Sequence, residues 1–554
     1  MKPRIAAAVS ICIIVISALF ASSKLLGKSF YTSHDGEGHV IRMIEYDEAL
    51  HDGQLPVRMT KRINFGLGYP FFNFNYPAPY AIGQSFHELG FPFVESFKLL
   101  MFLGTLVGGL SIYLFMRGHV DTLPSLISSL FYIFVPYRFL NMYVRGNPAE
   151  NFALGLVPLL LWTVDRLIFS NGKKFILFVL VGSLFVLSHN TTVLMTAPLI
   201  VVYFFLRLTK KNTIQTILRS CAISVSLIAI VTSFYWVPVL VETRLTKLAE
   251  LSEDYVTFFP TLKEVIYSPW GFGAYVQGVS PGKMSPQIGL LHVVMFVGSV
   301  FLLLIGFFKK KKDYAKVMWF FVGTAAIALF LMLPVSRVVW DTIHLLRFVQ
   351  IPWRFLGILA LCISCLAGFV VQVMKPPTYI KWMGCVLLVV VLVYANRNHI
   401  RLNQDVVFSN PFDRNAIYGP STTSKDEHMP RSAPRIYTAP DPNGTIISDA
   451  GGTSIRTTWT TNTHVFTVSM VSAGMFRDNT SYFPGWIASV DGKEIDILHF
   501  EDEYARLRVF VPEGTHSVVF SFTEVWYRKI FDIVSLVSFT VFGIWILVKK
   551  GKGI

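Results

Sequence analysis

Residues 33–59, SHDGEGHVIRMIEYDEALHDGQLPVRM, hold His34, Asp35, Glu37, His39, Arg42, Glu45, Asp47 and Asp52, the densest polar constellation of the chain. Two carboxylates separated by one residue, Asp35 and Glu37, can provide a general base or hold a divalent cation (Mg or Mn) through oxygen ligands. His34 and His39 widen the choice of metal. Glycines at 36 and 38 predict a turn that carries both carboxylates. Val40, Ile41 and Ile44 predict an amphipathic helix over about 39–49, lying on a membrane surface. The alternative is a solvated loop with ordinary charges.

Two further segments carry arginine. YVRGNPAENFA, residues 143–153, places Arg145 near Glu150. Guanidinium suits phosphate because its planar fork donates twice and stays charged. Pairing of Arg145 with Glu150 or with lipid headgroups is the structural alternative. LLRFVQIPWRFL, residues 345–356, carries Arg347, Trp353 and Arg354 where a helix enters the bilayer, and either arginine alone reads as an interfacial anchor. His189, in LSHNTT, reads first as a capping or packing residue and second as a ligand.

The elements that position these residues are transmembrane. Of 554 residues 53% are hydrophobic, in long uninterrupted runs. Candidate spans fall near 4–23, 95–116, 123–141, 151–168, 175–190, 191–206, 214–239, 288–307, 315–333, 355–374, 380–396 and 529–548, about twelve helices. The formal charge of +15 gathers in clusters such as Lys173–Lys174, Lys210–Lys211 and Lys309–Lys312 beside those runs. This is the positive-inside pattern, and it excludes a nucleic-acid groove as the better reading. It predicts a multi-pass inner-membrane protein with both termini cytoplasmic and long external segments at 24–94, 240–287 and 397–528. Residues 76–92 predict a short interfacial or re-entrant helix. The first apolar run is expected to remain as a helix rather than to be cut as a signal peptide. All five cysteines lie in apolar runs, so Cys362 and Cys365, despite their C-x-x-C spacing, read as helix-packing residues.

Segment 397–528 predicts a domain. After a Pro-rich start at 410–444, period-two alternation in HVFTVSM, WIASVDGKEIDIL, ARLRVFV and HSVVFSF predicts antiparallel strands, with a hairpin turn at Asp491–Gly492. The expected organisation is a transmembrane module 1–396, an extracytoplasmic β-sandwich 397–528, and a last helix with basic tail 529–554. Trp486, Tyr482 and Tyr504 suit stacking on the sugar faces of an acceptor, although Trp486 reads equally well as core.

HDGEGHVIRM, DGQLPVRM, NFGLGYPFFNFNYPAPY, YVRGNPAENFA, PWGFGAYVQG and IPWRFL together resemble the integral-membrane glycosyltransferases of the GT-C superfamily. They are nearest to the prokaryotic "6-pyruvoyl-tetrahydropterin synthase-related" membrane proteins, a label that implies no pterin chemistry here. YFPGWIASVDGKEI with VPEGTHSVVFSF looks like the C-terminal β domain of the YfhO family. The resemblance implies a polytopic helical GT-C-like fold and a sugar donor on polyprenyl phosphate. It further implies an essential acidic residue in the first external loop. Carried onto this chain, Asp35 is that residue and Glu37 its helper or a metal ligand; such a donor also needs cations at its departing phosphate, a part that Arg145 or Arg354 could fill. Glu150, His34, His39 and His189 are accessory. The acceptor would be an envelope glycan, lipid or protein. No Gly-rich phosphate loop occurs, as a lipid-phosphate donor requires none. A transporter or flippase of glycan precursors is the rival class. It fits less well because the helix interiors are nearly free of charge and no internal duplication is visible. A non-enzymatic membrane scaffold leaves the first-loop cluster unexplained.

Overall fold

Hydrophobic runs too long for a soluble core become helices whose backbone bonds are satisfied within the segment. In the computed structural model, nine described helices are long and apolar enough to cross a membrane: Arg4–Ala21, Phe93–Met116, Pro148–Phe169, Asn190–Arg207, Ile214–Val231, Tyr314–Met332, Pro352–Val373, Tyr379–His399 and Trp526–Val548. The pair Thr122–Ile133 and Pro136–Arg145, bent by 43°, makes a tenth if it is one span. Phe175–Val186 and Leu290–Leu304 are shorter apolar helices. The structure describes residues 3–27, 30–64, 66–208, 213–250, 254–276, 282–306, 312–374, 377–403, 405–406, 429–431, 443–447, 451–499 and 505–551. Lys210–Lys211, Lys309–Lys311, Tyr504 and most of the Pro-rich stretch 410–444 lie outside the described residues.

Two expected spans are interrupted. The run 123–141 breaks before Pro136, which lacks an N–H and disfavours helical geometry in the residue before it. The run 214–239 divides at Thr232 into Ile214–Val231 and Ser233–Glu242.

The chain packs as two units. The first comprises Met1–Glu37, Phe86–Ile228 and Ser252–Phe408, and the second Gly38–Ser85, Ala229–Leu251 and Ser409–Ile554. In the first unit Phe93–Met116 and Pro148–Phe169 approach through small residues: a Cβ on Gly155 would stand 2.7 Å from the Gly104 carbonyl oxygen. Pro352–Val373 is buried along most of its length.

The second unit contains the β domain. Strands Gly452–Trp459, Thr463–Met470, Gly514–Phe522, Trp486–Val490 and Lys493–Ile495 form one antiparallel sheet, in that spatial order. Thr445–Ile446, Gly474–Ser481 and Arg506–Val511 form a second, with Gly474–Ser481 central. Phe466, Val468 and Phe520 of the first sheet meet Phe476, Leu507 and Val509 of the second in one buried core. The expected domain boundaries miss part of this core. Met59 and Phe74, from the first external loop, are members of it. The Ser481 amide also donates to the Leu67 carbonyl at 3.1 Å.

The amphipathic helix expected on the membrane surface is instead Gly36–His51, and its acidic residues point into protein. Glu45 and Asp47 are fully buried. Glu45 accepts the amides of Lys61 at 2.9 Å and Arg62 at 3.3 Å, and Asp47 accepts from Gln84 at 2.7 Å. Within 76–92 the helix is Ala78–Glu88, 11 residues and too short to cross a bilayer.

Candidate functional site

The site residues of the first unit are brought together by backbone pairing near the start of the chain. After the short strand Phe30–Tyr31, the His34 amide donates to the Val144 carbonyl at 3.0 Å and the Asp35 amide to the Arg145 carbonyl at 2.8 Å. Asp35 is thereby fixed beside Arg145. The approach needs glycine on both sides. Gly146 has φ +66°, and a Cβ there would stand 2.5 Å from Ser33 Oγ and 2.8 Å from the Gly36 amide nitrogen. The predicted turn at Gly36–Gly38 is replaced by helix. Ser33 Oγ accepts the Gly36 amide at 3.1 Å and donates to Glu37 at 3.3 Å, which starts the helix at Gly36 despite its low propensity. Glu37 therefore lies in the first helical turn. Burial raises its carboxyl pKa, hydrogen bonds from its own backbone and from Ser33 oppose the rise, and Asp35 adds to it.

Arg145 closes a six-residue π-helical turn, Leu140–Arg145, a geometry frequent at functional sites. Next, Asn147 caps the helix Pro148–Phe169: its side chain accepts the Glu150 amide at 2.9 Å, and Pro148 takes the first position, where no N–H is needed. This cap sets Glu150 in the first turn, fully buried. Glu150 accepts from Arg145 Nη1 at 2.6 Å and from the Tyr137 hydroxyl. Arg354 Nε is 3.8 Å away. Arg145 Nη1 also donates to Asn141 Oδ1 at 2.6 Å. The Arg145 guanidinium lies over the Trp353 ring at 5.0 Å. Arg354 Nη1 donates to the Val349 carbonyl at 2.8 Å and to Gln350 Oε1 at 3.3 Å, and Gln350 is held at φ +66°.

His189 is buried at the N-cap of Asn190–Arg207, where Nδ1 accepts from the Thr192 amide at 3.3 Å and pairs with the Thr192 hydroxyl at 2.8 Å. An amide N–H can be met only by an unprotonated ring nitrogen, so Nδ1 carries no proton. Burial pushes the His189 pKa down to about 3, with Glu150 opposing and the two arginines adding. His189 thus caps a helix and stays neutral beside Glu150.

The other expected site residues are placed elsewhere. His34 Nε2 pairs with the Phe272 carbonyl at 2.7 Å, which ties the segment around Phe272 to this end of the first unit. His39 belongs to the second unit, where Nδ1 meets the Tyr80 hydroxyl at 3.1 Å. Trp486 is corrected from acceptor platform to core: it is 5% exposed, packed between His464 and Phe522. Its strand turns residues 486, 488 and 490 inward, so its ring has no open face for a sugar. Tyr482 is half-buried and stacks on His499, ring centroids 3.6 Å apart. Tyr137 and Asn141, both bound to Glu150 or Arg145, escaped sequence reading; their signal is the proline break that starts their helix.

Asp35 and Glu37 offer a hard cation two carboxylates. Among the described residues no third His, Cys or carboxylate joins them at ligand distance. Such a pair fits Mg²⁺, which takes its remaining ligands from water and substrate phosphate, better than an ion that needs a protein cage.

The fold and site define a multi-pass helical membrane protein with a β domain and an arginine-rich cluster at the helix ends. The model of the family described as "6-pyruvoyl-tetrahydropterin synthase related domain; membrane protein" matches residues 72–403, more than half the chain, and the chain belongs to that family. An uncharacterized protein of Lactococcus lactis subsp. cremoris (strain MG1363) is 24% identical over 211 residues, which cover 37% of this chain and 34% of that one. The chain therefore spans about a third of that relative's length. Similar solved structures include arabinofuranosyltransferase AftD from Mycobacteria, at TM-score 0.42 and 14% identity over 72% of this chain and 26% of that one. The oligosaccharyltransferase of Archaeoglobus fulgidus matches at TM-score 0.42 and 12% identity, over 71% of this chain and 55% of its own. ArnT of Cupriavidus metallidurans, bound to undecaprenyl phosphate, matches at TM-score 0.39 and 13% identity, over 69% and 63%.

Proposed function

We propose that the protein is a membrane glycosyltransferase that moves a sugar from a polyprenyl-phosphate donor to an acceptor hydroxyl on the extracytoplasmic side of the cell membrane. The carrying observation is Asp35, held by its backbone beside Arg145, with Arg145 and Arg354 sharing one fully buried carboxylate, Glu150. Among the described residues Arg145 makes its hydrogen bonds through Nη1 alone, which leaves Nε and Nη2 for an oxyanion.

In the reaction Asp35 takes the proton of the acceptor hydroxyl as its oxygen attacks the anomeric carbon. The bond from that carbon to the phosphate oxygen breaks, and polyprenyl phosphate leaves with the electron pair. Arg145 and Arg354 stabilise the added negative charge in a site poor in water. A divalent ion held by Asp35 and Glu37 would supply further positive charge at the phosphate. Glu150 keeps the Arg145 fork oriented, and neutral His189 adds no competing charge. The acceptor is an envelope glycan, lipid or protein.

Asp35→Asn keeps the side-chain shape and removes the charge. Transfer from a polyprenyl-phosphate sugar in liposomes is expected to fall by about a hundredfold or more, with protein level and melting temperature unchanged. Full activity in Asp35→Asn would overturn the proposal.

A further inference from the structure

Buried indole N–H groups usually find an acceptor, because leaving one unmade costs its full desolvation. Trp353 is 2% exposed, and its Nε1 has no hydrogen-bond partner among the described residues. The next residue, Arg354, is buried too, and its Nε likewise lacks a hydrogen bond. Both stand on the single turn Pro352–Phe355. One face of the Trp353 ring underlies the Arg145 guanidinium, and Tyr137 meets the ring edgewise at 6.4 Å. Trp353 is thus packed between the Arg145 guanidinium and Tyr137, inside the site. An unpaired indole N–H alone is not decisive, since core Trp486 has one too; here it is on the same turn as the unpaired Arg354 Nε and beneath Arg145, whose Nε and Nη2 make no hydrogen bond among the described residues. The chemistry that meets all three at once is an oxyanion with several lone pairs, and phosphate is the class that fits two guanidinium groups.

We infer that Trp353 contacts the ligand, donating its indole N–H to a phosphate oxygen of the donor while its ring holds Arg145 flat. The inference rests on the phosphate reading of the site. A neutral N–H donates equally to donor and product phosphate, so its contribution is binding and orientation of the headgroup, and the proton transfer stays with Asp35. The same N–H distinguishes a phosphate from an apolar headgroup, which would leave the indole unpaired.

Trp353→Phe tests this, since it keeps an aromatic ring beneath Arg145 and removes the N–H alone. Binding of undecaprenyl phosphate in detergent and of inorganic phosphate in water is measured on the full-length protein by the shift in melting temperature across a titration. Trp353→Phe is expected to weaken undecaprenyl phosphate binding about tenfold, the size of one hydrogen bond to a charged group. The ligand-free melting temperature should stay the same or rise, because a buried unpaired donor has gone. A parallel loss for inorganic phosphate assigns the contact to the free phosphate chemistry; a loss for the lipid alone assigns it to the lipid headgroup. Either supports the inference. Wild-type affinity in Trp353→Phe, with affinity lost in Arg145→Lys, would overturn it and leave the phosphate site standing. A lower ligand-free melting temperature with unchanged affinity would overturn it too, by showing that the N–H serves the fold. Failure of the wild-type protein to bind either phosphate would instead remove the reading on which it rests.

Discussion

In the first unit Arg145 and Arg354 share one fully buried carboxylate, Glu150; in the second Arg58 and Arg528 stand among three, Glu242, Glu524 and Asp532. Every nitrogen of the Arg58 fork is engaged: Nε with Glu524 at 2.6 Å, Nη2 with Asp532 at 2.7 Å, and Nη1 with Asn73 at 3.0 Å. Arg528 binds Glu242 at 2.8 Å through Nε, and its guanidinium lies 5.5 Å from both the Phe483 and Phe522 rings. Glu242 also accepts from Asn73 and Tyr527. Acidic groups in excess and aromatic faces closing the Arg528 cation, whose Nη1 and Nη2 make no hydrogen bond among the described residues, describe a latch between the last helix, the segment around Arg58 and the β domain. Guanidinium in excess of carboxylate describes a place for an incoming anion. Neither burial of arginine nor unused N–H groups separates the two, since Arg528 also keeps two; the count of carboxylates does.

The largest effects should come from removing the shared carboxylate of each cluster. Glu242→Gln strands a buried charge and is expected to cost about 3–5 kcal/mol of stability. Glu150→Gln should cost a similar amount without ligand, yet recover part of it when polyprenyl phosphate is added, because the anion replaces the lost charge. Thermal unfolding in detergent with and without the lipid checks both. Equal rescue of the two variants, or rescue of neither, would erase the distinction between site and latch.

A smaller contrast is set by two glycines at positive φ. Gly492 follows Asp491 in the hairpin turn, at φ +80°, and a Cβ added there would meet nothing within 4 Å. Gly492→Ala should cost about 1 kcal/mol of backbone strain. Gly146→Ala adds a clash with Ser33 and Gly36 to the same strain and should cost about 3 kcal/mol. It should also lower transfer by about a hundredfold, since it moves the segment that fixes Asp35. Paired melting and transfer measurements test this, and equal stability losses would show that the approach at Gly146 is slack.

The smallest effect concerns pH. The Glu37 carboxyl is raised in the folded protein by burial, so between its ordinary value and the raised one the folded chain holds a proton that the unfolded chain has released. Its contribution to stability is therefore full below the ordinary carboxylate range and fades as pH rises through the raised value. Glu37→Gln should flatten that slope in a series of melting temperatures against pH. An unchanged slope would show that Glu37 is solvated like a surface carboxylate.

Much of this architecture was legible from local pattern. Each of the twelve apolar runs meets at least one helix, because a long run of apolar side chains leaves the backbone few other ways to pair in lipid. The alternation in HVFTVSM became the strand Thr463–Met470 with Phe466, Val468 and Met470 inward, and Asp491–Gly492 turned as its φ preferences require. Arg145, Glu150 and Arg354 could be named as candidates from their chemistry. Their grouping with Asp35 could not, since residues 35, 145, 189 and 354 meet only through tertiary packing.

The sequence by itself determined which segments are apolar enough to span, which alternate as strands, and which residues carry charge, because those properties belong to side chains and their nearest neighbours. Tertiary structure alone decided that Ser33 starts a helix at glycine, that Met59 and Phe74 complete the core of a distant β domain, and that Trp486 is interior. It also decided which arginines outnumber their carboxylates. That choice depends on how many acceptors the surrounding chain brings within about 3 Å, a sum over residues hundreds of positions apart that no local pattern contains.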